Sequence, residues 1–311
     1  MSDVSVTVPP CLASRRAGIW ALVAAVLAVG LVAYGAWVRS SGSGLGCPDW
    51  PLCNGKIIPE NIAAAIESGH RWYAAIMSIA IFVSAFLGFR LRRTFPIAAA
   101  LLGLSAFLVV LQAMLGAAVV LTELHPLVRL VHLGLALTLI AVLTVGGIAL
   151  TESTEPDLRL RRPGWHLLPT AIVVMLLGGS IVATTTSFEC TALPLCDKTS
   201  STLATALHSA HRTLGVVLFA AAAIFALRQV QKGASGAFVK VSVIAVVLLI
   251  GQMGIGTSVV AAHLPVGLRV LHLGMAAAIW MALVAAWSLR APSPPQASSN
   301  VPLSQPAHPR K

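Results

Sequence analysis

The chain has 311 residues, 57% of them apolar and only 10% charged, with a formal net charge of +11. Soluble domains carry about 25% charged residues, so this composition argues against a water-soluble protein. The positive charge is no nucleic-acid signature either, because no basic stretch is interleaved with aromatics on a soluble domain.

A bilayer-spanning helix needs roughly 20 mostly apolar residues. Eight stretches meet that need: 17–38, 70–90, 96–121, 129–150, 166–186, 208–229, 238–261 and 268–289. Two of them start at or beside a histidine-arginine pair, which leaves those boundaries soft. The first lies in SRRAGIWALVAAVLAVGLVAYGAW, whose apolar run exceeds the about 7–15 residues of a signal-peptide core, so it is read as a retained helix. With the N-terminus inside, 14 of the 21 Lys and Arg fall in inner loops and tails, which predicts N-in, C-in topology.

The chain repeats. GHRWYAAI, LQAMLG and LVRLVHLG in the first half match AHRTLGVV, IGQMGIG and GLRVLHLG in the second. Gln112, Arg129 and His132 map onto Gln252, Arg269 and His272 at a constant offset of 140, and His70 onto His211 at 141. An even number of spans per half gives both the same sense across the membrane. The predicted fold is therefore all-α, two tandem four-helix bundles in a parallel pseudo-two-fold repeat. The expected organisation is a cytoplasmic tail (1–16), a first half (17–150), a linker (151–164), a second half (165–290) and a Pro/Ser-rich disordered tail (291–311). Glycines in LLGGS (176–180), LQAMLG and IGQMGIG are read as helix-packing positions.

His70, His132, His211 and His272 each sit at the outer end of an apolar segment. Ionisable groups in a span are costly and tend to be functional. Two per repeat, at equivalent depth, point to a pair of haem sites with imidazole axial ligands. Zinc is disfavoured, since no Cys or carboxylate stands at tetrahedral-ligand spacing within the apolar zone. Each histidine has a polar partner three residues earlier, one turn outward on the same face: Glu67, Arg129, His208 and Arg269. Arg129 and Arg269 suit haem propionates, with snorkelling to the interface as the competing reading. Glu67 opposite His208 breaks the symmetry and places proton handling or charge stabilisation in the first half.

Cys47-PDWPL-Cys53 and Cys190-TALPL-Cys196 share spacing and lie in loops on the oxidising side, where disulfides persist. Both are read as loop staples; for Cys47/Cys53, electron exchange with a thiol partner stays open. Cys11 is left over as a free thiol on the inner side.

The string GAWVRSSGSGLGCPDWPLCNGKIIP (35–59), followed by Glu67-Ser-Gly-His70-Arg71, resembles the haem A synthase family of cytochrome oxidase assembly, and the likeness extends over nearly the whole chain. It implies oxidation of the haem O methyl group to a formyl group. It further implies that His70 and His132 bracket the substrate haem, with Glu67 as the carboxylate needed for activity, and that His211 and His272 hold a haem B cofactor. Glu123, His125 and His263 receive no role. Implied partners are a haem O synthase and an electron acceptor in a bacterial cytoplasmic membrane, with the haem sites towards its outer face. The competing readings are a dihaem electron-transfer cytochrome and a parallel-repeat transporter.

Overall fold

The computed structural model describes residues 10–53, 55–59, 61–156, 158, 164–234 and 236–289. The expected disordered tail, the centre of the 151–164 linker, the first nine residues and the side chain of Cys11 lie outside the described residues. Eight α-helices follow one another: α1 (Pro10–Ser40), α2 (Ile62–Arg90), α3 (Pro96–Leu121), α4 (Pro126–Thr151), α5 (Leu167–Ala183), α6 (Thr202–Gln231), α7 (Ala237–Ala261) and α8 (Val266–Ser288). Among the described residues there is no strand, only an isolated bridge between Cys53 and Lys56.

Seven helices are long and apolar enough to cross a membrane. The fifth departs from its expected span of 166–186. It has 17 residues and stops at Ala183, because Thr185 turns left-handed (φ 61°) into a short 3-10 turn at Thr186–Phe188. At 1.5 Å per residue this helix is about 26 Å long, at the short limit for a bilayer crossing.

Two starts also move. The spans placed at 70 and 208 begin at Ile62 and Thr202, since Asn61 and Ser201 cap these helices by accepting the N–H of Ala64 (2.8 Å) and Ala204 (3.2 Å). The histidines therefore lie about two turns inside their helices rather than at the ends. Apolarity had hidden the caps, because each opening turn mixes polar residues with alanine.

α1 packs on α2, α4 and α8; α4 on α1, α3, α5 and α8; α8 on α1, α4, α5 and α7. The remaining helices, α2–α3 and α6–α7, sit outside this central group. Close approach of α1 and α4 depends on small residues. Ala17, Ala21, Ala24 and Ala25 are fully buried, and a Cβ on Gly18 would lie 2.6 Å from the Gly147 carbonyl. On α8, Trp280 donates from its indole to the Leu137 carbonyl on α4 (2.8 Å), a buried bond between the two sets of four helices. Large apolar side chains such as Ile76, Phe86, Phe107 and Val247 are exposed, as lipid contact requires.

The α3–α4 and α7–α8 turns have matching geometry. Glu123–Leu124 and His263–Leu264 are consecutive left-handed residues (φ 51°, 66°, 57° and 60°) that reverse the chain ahead of Pro126 and Pro265. Glu123, His125 and His263 are solvent-exposed.

Candidate functional site

The four histidines lie at one end of the bundle, the end bearing both cysteine loops. Each ring rests against a glycine of the preceding helix. A Cβ would stand 3.3 Å from His70 Cε1 at Gly35, 3.6 Å from His132 Cε1 at Gly116, 2.9 Å from His211 Cε1 at Gly178 and 3.0 Å from His272 Cε1 at Gly256. These glycines are more than packing positions, since they hold the space the imidazoles occupy. The repeat made this legible: Gly116 and Gly256 are spaced by the same 140 residues as the histidines they face.

Within the second half, His211 and His272 face each other with ring centroids 6.3 Å apart and planes at 66°. Two imidazoles bound through nitrogen to one metal at about 2 Å each have centroids roughly 6 Å apart. The spacing thus fits a single iron between them. His211 Nδ1 is 2.9 Å from the Val174 carbonyl, the hydrogen bond that orients an imidazole ligand and leaves Nε2 for the metal. Gln252 donates to the His272 carbonyl (3.0 Å), and Gln112 does the same for His132 (3.1 Å). The Nδ1 atoms of His70, His132 and His272 are buried without a hydrogen-bond partner among the described residues. No cluster of three or more His, Cys, Asp or Glu there could hold a bare metal ion. Two axial imidazoles suit a metal whose remaining ligands come from a macrocycle.

In the first half, His70 lies on α2 and His132 on α4, as His211 and His272 lie on α6 and α8 in the second. His70 also has an aromatic surround that sequence reasoning missed. Tyr34 and Tyr73, the only tyrosines of the chain, sit beside it. Tyr34 lies 5.7 Å from the His70 ring and 6.2 Å from Tyr73. They interlock, with the Tyr34 hydroxyl over Gly69 and the Tyr73 hydroxyl over Gly30. The second half has Leu177 and Leu214 at the corresponding places, so a tyrosine absent from the repeat was the available signal.

Above the histidines sit the two cysteine loops. Cys47–Cys53 and Cys190–Cys196 are disulfides, with Cα atoms 4.6 and 4.8 Å apart. An arginine clamps each one. Arg71 donates to the carbonyls of Cys47 (3.1 Å), Asp49 (2.8 Å), Pro51 and Leu52, and Arg212 to those of Cys190, Ala192 (3.0 Å) and Pro194 (2.8 Å).

Glu67 is 4% exposed, and both of its oxygens are engaged. One accepts the Cys47 N–H (2.9 Å); the other pairs with Arg71 (2.8 Å). His208, its counterpart, is also buried and places Nε2 3.2 Å from the Thr186 carbonyl. Both residues tie the helix to the loop region above it, but only Glu67 brings a negative charge.

Arg129 and Arg269 do not converge with the loops. Arg129 reaches the Ala183 carbonyl at the end of α5 (3.4 Å), and Arg269 the Ser40 carbonyl at the end of α1 (3.2 Å). Each crosses from its own set of four helices to the other.

Seven membrane-length apolar helices with paired histidines near one end define a multi-pass membrane protein. A family model described as "Cytochrome oxidase assembly protein" (COX15-CtaA) matches residues 18–284. The chain belongs to that family. It is similar to proteins named "Heme A synthase" in Bacillus licheniformis (30% identity over 262 residues, 76% of this chain and 84% of the relative), Bacillus pumilus (30% over 201 residues, 60% and 66%) and Symbiobacterium thermophilum (34% over 186 residues, 53% and 59%). The matched share of these relatives thus runs from under two thirds to more than four fifths.

Proposed function

We propose that this chain is a haem A synthase, oxidising the methyl group of haem O to a formyl group to make haem A for cytochrome oxidase. Family membership and the names of the relatives support the activity. The observation that carries the site is the facing pair His211/His272 at a spacing suited to one iron, with His70/His132 at the equivalent place in the first half.

In this reading the chain is a parallel tandem repeat, 17–150 and 165–290, with both termini inside and the cysteine loops outward in a bacterial cytoplasmic membrane. His70 and His132 bracket the substrate haem; His211 and His272 hold one haem B. The division follows how firmly the rings are held. The glycine contacts are closer in the second half, and His211 has a carbonyl to orient it, as a permanent cofactor requires. Looser contacts in the first half suit a substrate that must enter and a product that must leave.

Converting CH3 to CHO removes four electrons, through two successive hydroxylations and loss of water. When bound, haem B supplies one-electron redox chemistry. Glu67 keeps a negative charge one turn from His70, held in place by Arg71 and the Cys47 amide, where it steadies positive charge developing on the substrate. With His70 and His132 both holding the substrate iron, no position would be open to O2, so water would supply the formyl oxygen and the membrane acceptor would take all four electrons. Formyl oxygen derived only from O2 in an isotope-labelling run would refute that source. A haem O synthase delivers the substrate, and a membrane electron acceptor takes the electrons.

Extraction of pigments from the purified protein tests the activity. Haem B together with haem O or haem A is the expected result, whereas two haem B per chain and nothing else would make it a cytochrome. The glycines give a second test. Gly178→Val overpacks the His211 ring at a cost of about 1–3 kcal/mol, which corresponds to a roughly 5- to 150-fold weaker second-half haem in titrations of the apoprotein. Unchanged affinity would mean that the glycine does not set the ring's place.

A further inference from the structure

Five arginines lie at the histidine end of the bundle, and they divide by how their donors are used. Arg71 and Arg212 spend theirs on loop carbonyls. Arg39, Arg129 and Arg269 do not. Each makes one hydrogen bond, always across the seam between the two sets of helices: Arg39 to the Val182 carbonyl (2.7 Å), Arg129 to Ala183 and Arg269 to Ser40.

Those carbonyls end α5 and α1, where helix dipoles favour a cation, so helix capping explains one donor of each guanidinium. It does not explain the rest. The Nε atoms of all three are buried without a partner, and among the described residues no carboxylate pairs with any of them. Val182 and Ala183, which accept from Arg39 and Arg129, are adjacent residues, and Ser40, which accepts from Arg269, follows Arg39 in the chain. Three cations brought together in a partly desolvated seam repel one another unless an anion joins them. A guanidinium fork with free donors binds carboxylates well. Arg129 and Arg269 stand one turn outward from His132 and His272, one in each half, and Arg39 bridges them.

We propose that Arg39, Arg129 and Arg269 form one shared carboxylate receptor at the seam, which takes a propionate from each of the two haems. This rests on the two-haem reading above but not on which haem is oxidised. Arg39 is the member common to both sites, so its charge acts on both haems at once.

The test is a spectroelectrochemical titration of the full-length purified protein, comparing wild type with Arg39→Gln and Arg39→Lys. Loss of a cation beside a propionate favours ferric iron, so Arg39→Gln should lower the midpoint potentials of both haems and Arg39→Lys should restore them in part. A shift in one haem only, or in neither, with haem content unchanged, would overturn the shared receptor. If Arg39→Gln fails to fold, the wild-type apoprotein decides. Loaded with haem B or its dimethyl ester, it should prefer the free acid at least tenfold at both sites, and equal binding of the ester would refute the proposal. Failure of the synthase reading would register separately, as pigments lacking haem O and haem A.

Discussion

Glu67→Gln lowers haem A formation by about a hundredfold or more while haem stays bound, the range expected when a positioned carboxylate is removed from a reaction. The substitution is isosteric, so the amide oxygen still accepts the Cys47 N–H and Arg71 still holds the loop through four carbonyls. Breaking a fully buried ion pair costs about 3–5 kcal/mol. Here the loss is smaller, because Arg71 is 17% exposed and keeps those carbonyl acceptors. What disappears is the negative charge one turn from His70. His208→Gln is the matched control. It alters the same position of the other half, where the side chain only ties α6 to Thr186, and haem A formation should stay within a few-fold of wild type. Haem content, measured as the pyridine haemochrome, separates loss of chemistry from loss of binding. Normal haem A output from Glu67→Gln would reduce Glu67 to a loop anchor and end the proposed division of labour.

His211→Ala empties the second-half site, and His272→Ala does the same, whereas His70→Ala leaves that haem in place. In the proposed reading the facing rings would both hold the iron, so loss of either one would remove half of its protein ligands. His211 carries the further cost of leaving the Val174 carbonyl without its partner. Haem B content after purification should fall from about one per chain to a small fraction of that, and the low-spin absorption bands should go with it. Full haem B occupancy in His211→Ala would assign the cofactor to the other pair. The two experiments are independent, because Glu67 and His211 share no partner, and their effects on stability should add.

Much of this arrangement is legible in the amino-acid sequence. The 140-residue offset linking Gln112, Arg129 and His132 to Gln252, Arg269 and His272 is visible in the sequence, and Gln112 and Gln252 each donate to the carbonyl of their own histidine. Matching spacing, a shared Pro-Leu-Cys ending and a place in loops on the oxidising side pair Cys47 with Cys53 and Cys190 with Cys196, and the structure joins both pairs. Helix starts were misplaced where polar caps, Asn61 and Ser201, open an apolar segment. That difference of about two turns places His70 and His211 inside their helices rather than near the ends.

The sequence by itself determined what the chain is made of: apolar spans, their approximate number, four repeated histidines and one carboxylate without a counterpart. Local composition and periodicity are sufficient for that, because lipid demands continuous apolar helices whatever their neighbours. Only the tertiary structure decided which groups meet. Gly178 faces His211 from 33 residues away, and Arg39 reaches Val182 across 143. No local pattern encodes such distances, which depend on how eight helices pack. The same packing placed Glu67 against Arg71 and the Cys47 amide, and so turned an isolated carboxylate into a fixed negative charge above His70.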